Sequence, residues 1–280
     1  MEEWKKPAYD FYLLIPFYNN LPGLIRSLQS IVYDPLAYGL LIVDDGSSEI
    51  LRYEDLISYL PQSLSLTILR LRENQGITVA LNTGLKWLEE KGKSEYVARL
   101  DCGDICLPDR FTHQVAFLNG HPEVGLIGSW CIFKNFRTGD SYRYTTPTEH
   151  KKILREMHFR NVFIHPTVMW RSDMTKKIGV YPDNFPHAED YGFFYKIISA
   201  TEAAVLPTDL VICEINPQGI SLHFRREQLK SRLKVVRQYG NNWLFKLLGV
   251  IKLRLLMVIP YKFVLQTKKF IYGIKHIDVS

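Results

Sequence analysis

No stretch of the chain approaches the roughly 18 uninterrupted apolar residues that a membrane-spanning helix needs. The polar opening MEEWKKPAYD has no apolar core of the kind a secretion signal carries, so the protein is expected to stay on the cytoplasmic side. Cysteine is scarce. Cys102, Cys106, Cys131 and Cys213, spread through 280 residues, read as reduced thiols rather than a disulfide framework. Cys102 and Cys106 stand four apart, but no second Cys/His pair nearby completes a zinc site. The sequence also lacks internal repeats and low-complexity tracts, which excludes solenoid and array architectures.

Acidic residues nearly vanish from the last sixty positions. Residues 221–280 carry thirteen Lys/Arg against Glu227 and Asp278, whereas the chain as a whole has a net charge of only +6, so the body before this tail is acidic. An acidic body with a basic tail separates chemistry in the first part from attraction to an anionic surface in the second. In the tail, Trp243, Leu244, Leu247, Leu248, Ile251, Leu255, Val258 and Ile259 alternate with Lys246, Lys252, Arg254 and Lys262, as in a pair of basic amphipathic helices. Membrane-surface contact is the expectation, and a helical hairpin packed on the body with solvated charges is the plainer alternative. No nucleic-acid recognition motif accompanies the charge.

With 280 residues, 46% of them hydrophobic, the chain can bury one large core or two modest ones. Phe11 to Pro16 and Leu40 to Val43 are short apolar runs that read as buried parallel strands, with Leu24, Ile25, Leu28 and Ile31 at helical spacing between them. The alternation continues with a strand over 66–71, a helix over 78–90 and a strand over 96–100. A helix over 111–119, a strand near 124–127 and another over 162–170 follow, before a helix that starts at the pair Glu189-Asp190. This is an α/β pattern, and such sheets bind ligands off the carboxyl ends of their strands. Here those ends are Pro16 to Asn20, Asp44 to Ser47, Glu73 to Gly76 and Asp101 to Asp104, four loops expected to share one cleft.

Those loops hold the candidate functional residues. Asp44 and Asp45 can accept hydrogen bonds from a uracil N–H or ribose hydroxyls, although Asp44 equally suits a turn cap before Gly46. Tyr18 offers an aromatic face. Asp101 and Asp104 are hard oxygen ligands for magnesium or manganese, or else caps for the segment beginning near Pro108. Asp190, at a helix start, is placed to accept a proton from a hydroxyl, or merely to cap the helix with Glu189. His165, within an apolar run, is as readily a core histidine as a ligand.

The elements IPFYNN, IVDDGSS, ENQG followed by ALNTGL, RLDCGDICLPDR and HAEDY, in this order, resemble the family-2 inverting glycosyltransferases of bacterial polysaccharide and lipopolysaccharide assembly over about residues 9–200. The resemblance implies a GT-A fold, a single Rossmann-like domain with a mixed central sheet. That domain would occupy residues 1–220, with a donor half about 9–125 and an acceptor half about 126–220, and 221–280 would form a basic, amphipathic helical extension. It implies a UDP-sugar donor bound by Pro16, Tyr18, Asp45, Asn74, Gly76 and Asp101, a divalent cation (Mn2+ or Mg2+) on Asp101 and Asp104, Asp190 as catalytic base and Glu189 facing a glycan or lipid-linked acceptor. The enzyme would sit peripherally on the inner face of the cell membrane. One position departs from the pattern. Gly103 stands where members with a full metal motif have an aspartate, which leaves Asp101 and Asp104, with a water or a histidine such as His165 or His223, to hold the metal. It also keeps open a non-catalytic sugar-nucleotide-binding scaffold as an alternative.

Overall fold

The computed structural model describes residues 8–215, 224–260 and 263–264. His223, Lys262 and the basic residues after position 264 therefore lie outside the described residues. The chain begins with β1 (Tyr9–Phe17), α1 (Leu21–Gln29), β2 (Tyr38–Asp44), β3 (Ser65–Arg70), α2 (Ile77–Lys91) and β4 (Ser94–Arg99). β1 pairs in parallel with both β2 and β4, and β2 with β3. Phe11, Leu13, Leu14 and Ile15 of β1 and Leu40 to Val43 of β2 are wholly buried, as expected of strands covered on both faces.

Local chemistry sets the helix ends. The Asn20 side chain caps α1 by accepting the Gly23 N–H at 3.1 Å, and Pro22 occupies the first turn, where its missing N–H costs nothing. α1 stops at Gln29, short of the expected end. Ser30 Oγ turns back onto the Ser27 carbonyl at 2.6 Å and also receives the Cys106 N–H at 2.9 Å, diverting the chain.

After β4 the sheet changes character. β5 (Ile105–Cys106), α3 (Arg110–Gly120), β6 (Val124–Lys134), β7 (Ser141–Tyr144), α4 (His150–Met157), β8 (Met169–Arg171), α5 (Ser172–Ile178), α6 (Glu189–Ala200) and β9 (Glu202–Glu214) follow. Among the described residues the strand order is β3-β2-β1-β4-β8-β6-β9-β5, with β7 paired to β6. β8 runs antiparallel to β4, so β4 is the junction between a parallel half and a mixed half.

The strand expected over 162–170 is mostly not a strand. Residues His165–Thr167 form a 3-10 turn, and extended pairing begins only at Met169. Pro166 has no N–H to give a ladder, and Gln114 Nε2 takes the Thr167 carbonyl at 2.8 Å.

The two faces of the sheet each carry a core, one including α1 and α3, the other α2, α5 and α6. The second is extended by α7 (Arg225–Tyr239) and α8 (Trp243–Val258), whose Leu229, Val235, Val236 and Leu253 are buried in it. α8 lies close against the body at Gly249, where a Cβ would come within 2.0 Å of the His158 carbonyl oxygen. Its opposite side leaves Trp243 75%, Leu247 49%, Ile251 45%, Leu255 56% and Val258 82% exposed. Among the described residues no helix is long and apolar enough to cross a membrane.

Candidate active site

The four strand-end loops are tied together by their own polar groups. The Asn19 N–H donates to Ser47 Oγ at 2.9 Å, and Asn19 Oδ1 accepts from both the backbone and the hydroxyl of Ser48 at 2.9 Å, joining the loop after β1 to the loop after β2. The Asp45 carboxylate accepts the N–H of Gln75 at 2.8 Å on one oxygen and that of Gly76 at 2.9 Å on the other, fixing the loop after β3. Gly46 and Gly76, at φ +69° and +89°, allow the close approach, since a side chain at Gly46 would strike the backbone of Glu73. Cys102 Sγ–H points to the Asn20 carbonyl at 3.3 Å and ties in the loop after β4.

Asp44, itself buried, has the role of a turn cap: one oxygen accepts the Ser47 N–H at 2.9 Å and the other pairs with the partly exposed Arg70 at 2.6 Å. Asp45 keeps one lone pair free on each oxygen. Tyr18, 49% exposed, and Asn74 stand at the open rim, and Pro16 is half-buried at the end of β1.

A cavity of about 250 Å³ opens beside the loop after β4, lined in part by Asn20, Asp101, Asp104, Ile164, Pro166 and Glu214. Asp101 reaches it with its side chain 34% exposed, one oxygen paired with Arg99 at 2.5 Å. Desolvation works against its ionisation, but the Arg99 guanidinium prevails and holds the carboxyl below its usual range. Asp104 is buried, accepts the Glu214 N–H on Oδ1 at 2.7 Å, and has its proton affinity pushed well up by desolvation and then by Asp101. Gly103 sits at φ +109°, and a Cβ there would stand 2.6 Å from Glu214 Oε2. Glu214 in turn pairs with Arg26 at 2.6 Å, and Arg26 Nε donates to the Gly103 carbonyl at 3.1 Å. An ion pair from α1 and β9 thus fills the space that an aspartate side chain would need.

Among the described residues no three His, Cys, Asp or Glu side chains form a metal-holding group. Asp101 keeps an oxygen not paired with Arg99, whereas Asp104 is buried and bonded to the Glu214 N–H, so of the two acids Asp101 is the more accessible to a hard cation.

The acid pair opens α6 on the other side of β4. Glu189 is buried, and desolvation, then the Asp190 charge, raise its carboxyl to about 7. Asp190 is half-buried. Its oxygens accept the Tyr191 N–H at 2.7 Å and Asn161 Nδ2 at 2.9 Å, and desolvation lifts it to about 6 against the lowering effect of these bonds and of Arg232. Asp101 is among the charges acting on both acids, so the structure brings the two halves of the chain within electrostatic reach of one another.

His165 is neutral near neutrality and a weak base. Its Nε2 meets Tyr181 Oη at 3.0 Å, and burial with Arg99 nearby takes its pKa down to about 3. Arg99, Tyr181, Asn161 and Arg232 were missed by sequence reasoning. An arginine next to the acidic loop was the only signal available for any of them.

The glycosyl transferase family 2 model matches residues 12–179. The chain belongs to glycosyl transferase family 2. The glycosyltransferase is 32% identical over 235 residues, 81% of its length and 84% of the relative's, to the amylovoran biosynthesis glycosyltransferase AmsE of Erwinia amylovora. It is 27% identical over 196 residues, covering 69% and 68%, to the Escherichia coli UDP-Gal:alpha-D-GlcNAc-diphosphoundecaprenol beta-1,3-galactosyltransferase. Its GT-A fold aligns with S. aureus TarS 1-349, solved with UDP-GlcNAc, at a TM-score of 0.63 and 18% identity, over 86% of this chain and 70% of that one. It also aligns with the mannosyltransferase PcManGT of Pyrobaculum calidifontis, solved with GDP-Man and Mn2+, at 0.60 and 19%, over 85% and 66%.

The raised acids give a test of the site that needs no substrate. The folded enzyme retains protons on Glu189 and Asp190 that the unfolded chain has released between about pH 4 and 7, so stability falls as pH rises through that window. Asp190→Asn removes one such group, and its Tm is expected to exceed that of the wild type at pH 8, with the difference closing towards pH 4. Scanning calorimetry at the two pH values checks this, and parallel curves for the two proteins would refute the raised proton affinity.

Proposed function

We propose that the enzyme is an inverting transferase that moves a hexose or N-acetylhexosamine from a UDP-sugar to a hydroxyl of a glycan or lipid-linked acceptor in the assembly of a bacterial surface polysaccharide. The observation that carries this reading is the half-buried Asp190 carboxylate at the head of α6, held by Asn161 and the Tyr191 N–H and acted on by the Asp101 charge from the end of β4. The AmsE and undecaprenol-linked relatives support the pathway class, and the UDP-Gal donor in the name of the E. coli relative supports a uridine nucleotide.

In this reading the free lone pairs of Asp45 meet the uracil, Tyr18 covers the base, and Asn74 and Gly76 border the nucleotide, with Pro16 shaping the rim. Asp190 accepts the proton of the acceptor hydroxyl as its oxygen bonds to the anomeric carbon and the bond to the UDP oxygen breaks, which inverts that carbon. Glu189 lies beside it on the acceptor side. Asp101, with Asp104 behind it, would hold Mn2+ or Mg2+, which disperses the charge that develops on a leaving diphosphate. Asp190→Asn is expected to cost about 10²–10⁴-fold in kcat with binding of UDP retained. The wild-type rate should fall below pH about 6, where Asp190 takes up its proton. Near-normal transfer by Asp190→Asn would remove the base assignment, and donor turnover of any kind excludes a purely non-catalytic scaffold.

Because the described residues build no protein cage, cation and nucleotide should bind together. In thermal shift, Mn2+ alone is expected to leave Tm unchanged, while UDP with Mn2+ stabilises more than UDP with EDTA. Equal shifts with and without the cation would remove Asp101 as its ligand.

The exposed apolar side of α8, flanked by Lys252 and Arg254, supports peripheral attachment at the inner face of the cell membrane. Co-sedimentation with vesicles containing anionic lipid is expected for the wild type and should fall sharply for Ile251→Glu with Leu255→Glu. Equal sedimentation of the two would end this part of the proposal.

A further inference from the structure

α7 presents one face to the segment that delivers the acids. Phe224, just before α7, and Gln228 and Arg232 recur every four residues, so they line a single helix side. The Phe224 ring stacks on His187 with centroids 4.6 Å apart. Gln228 Nε2 donates to the His187 carbonyl at 3.1 Å. Glu227, beside them, reaches His187 Nε2 at 3.7 Å. His187 is one of two non-glycine residues with positive φ among the described residues, at +62°, a conformation that persists only when its surroundings hold it. One turn further along, the Arg232 guanidinium stands 6.0 Å from the centre of the Tyr191 ring, and its buried Nε has no hydrogen-bond partner.

We propose that α7 is part of the catalytic apparatus, with Gln228 and Arg232 acting as positioning residues: Gln228 clamps the strained His187 turn that aims Asp190, and Arg232 supplies the positive charge that favours the ionised Asp190 carboxylate. The inference rests on Asp190 being the base, and it adds that the base depends on a helix outside the family-model match, which ends at residue 179.

The physical argument is one of opposing effects. Burial and two neighbouring acids, Glu189 on the same helix and Asp101 from the end of β4, disfavour charge on Asp190, and Tyr181 faces it as a neutral group. Asn161 and the Tyr191 N–H stabilise the carboxylate with neutral donors. Arg232 is a fixed cation acting on Asp190, and Arg99 acts on Glu189 and Tyr181 beside it. Without Arg232 the acid would hold its proton further into the neutral range and be a weaker base where the enzyme works. The unpartnered Nε is the cost of holding a guanidinium at that spot rather than in solvent.

The test is a carbon-13 NMR titration of the aspartate carboxyls in the full chain, with the Asp190 signal assigned by its loss in Asp190→Asn. The Asp190 midpoint is expected to rise by about one pH unit in Arg232→Met and to return most of the way in Arg232→Lys. A midpoint that stays put in Arg232→Met, or that rises equally in both variants, overturns the role of Arg232. Should Arg232→Met fail to fold, the charge-preserving Arg232→Lys decides the point alone, since only a midpoint close to that of the wild type agrees with the proposal. For the clamp, amide exchange at Ala188 to Asp190 is expected to quicken roughly fivefold in Gln228→Ala, and unchanged exchange overturns it. Neither measurement needs a donor or acceptor. An Asp190→Asn enzyme that still transfers sugar would sink the base assignment while leaving these results to stand on their own.

Discussion

The guanidinium of Arg99 sits where the parallel half of the sheet meets the mixed half. It is the last residue of β4, its N–H bonds to the Val168 carbonyl at 3.0 Å, and its side chain is fully buried between Asp101 and the Leu100 carbonyl. Arg110, also fully buried, supports it from below by donating to the Arg99 carbonyl at 2.5 Å. A buried charge of this kind is tolerated only when its partners are in place, and removing one of them is far costlier than the pair is worth. That requirement orders the loop after β4, because Asp101 must point back to Arg99. It also sets the electrostatics of what lies around it. His165 is kept neutral, Asp101 is kept ionised, and Glu189 feels a cation that offsets some of the repulsion from its neighbours.

Around this junction, the same residue type is used for construction and for chemistry. Asp44 is consumed by Ser47 and Arg70, Asp104 by the backbone of β9, and Asp45 divides its oxygens between two N–H groups while leaving a lone pair on each. Asp101 and Asp190 are less buried than these, and they belong to opposite halves of the fold. The acids nearest the interior tend to hold loops in place, and those at the rim keep capacity for a ligand.

Much of the first half was legible because its signals are local. Apolar runs of four to six residues marked β1 to β4, helical spacing marked α1 and α2, and acids at strand ends marked the rim. The second half resisted for physical reasons. β9 was not read as a strand, since Pro207 interrupts it; the structure places that proline in a stretch where the pairing with β6 shifts register, so no ladder N–H is lost. The run over 162–170 looked like a strand until a proline and the amide of Gln114 bent it. The groups that shape Asp190 include Asn161, bonded to it from twenty-nine residues earlier, and the charge of Arg232, forty-two later, separations at which no spacing rule operates. The tail was visible as basic and amphipathic, with a hairpin packed on the body as one of its two readings; that Leu229, Val235, Val236 and Leu253 are the residues buried in the core was not legible.

The placement of α7 also bears on how the enzyme comes into being. A chain made from its amino end can assemble β1 to β4 and their loops early, since those pairings join segments close in sequence. The turn at His187 then waits for residues some forty positions further on before Phe224 and Gln228 can reach it. In such a chain the contacts that hold the head of α6 therefore form only after α7 has been made, later than the pairings among β1 to β4.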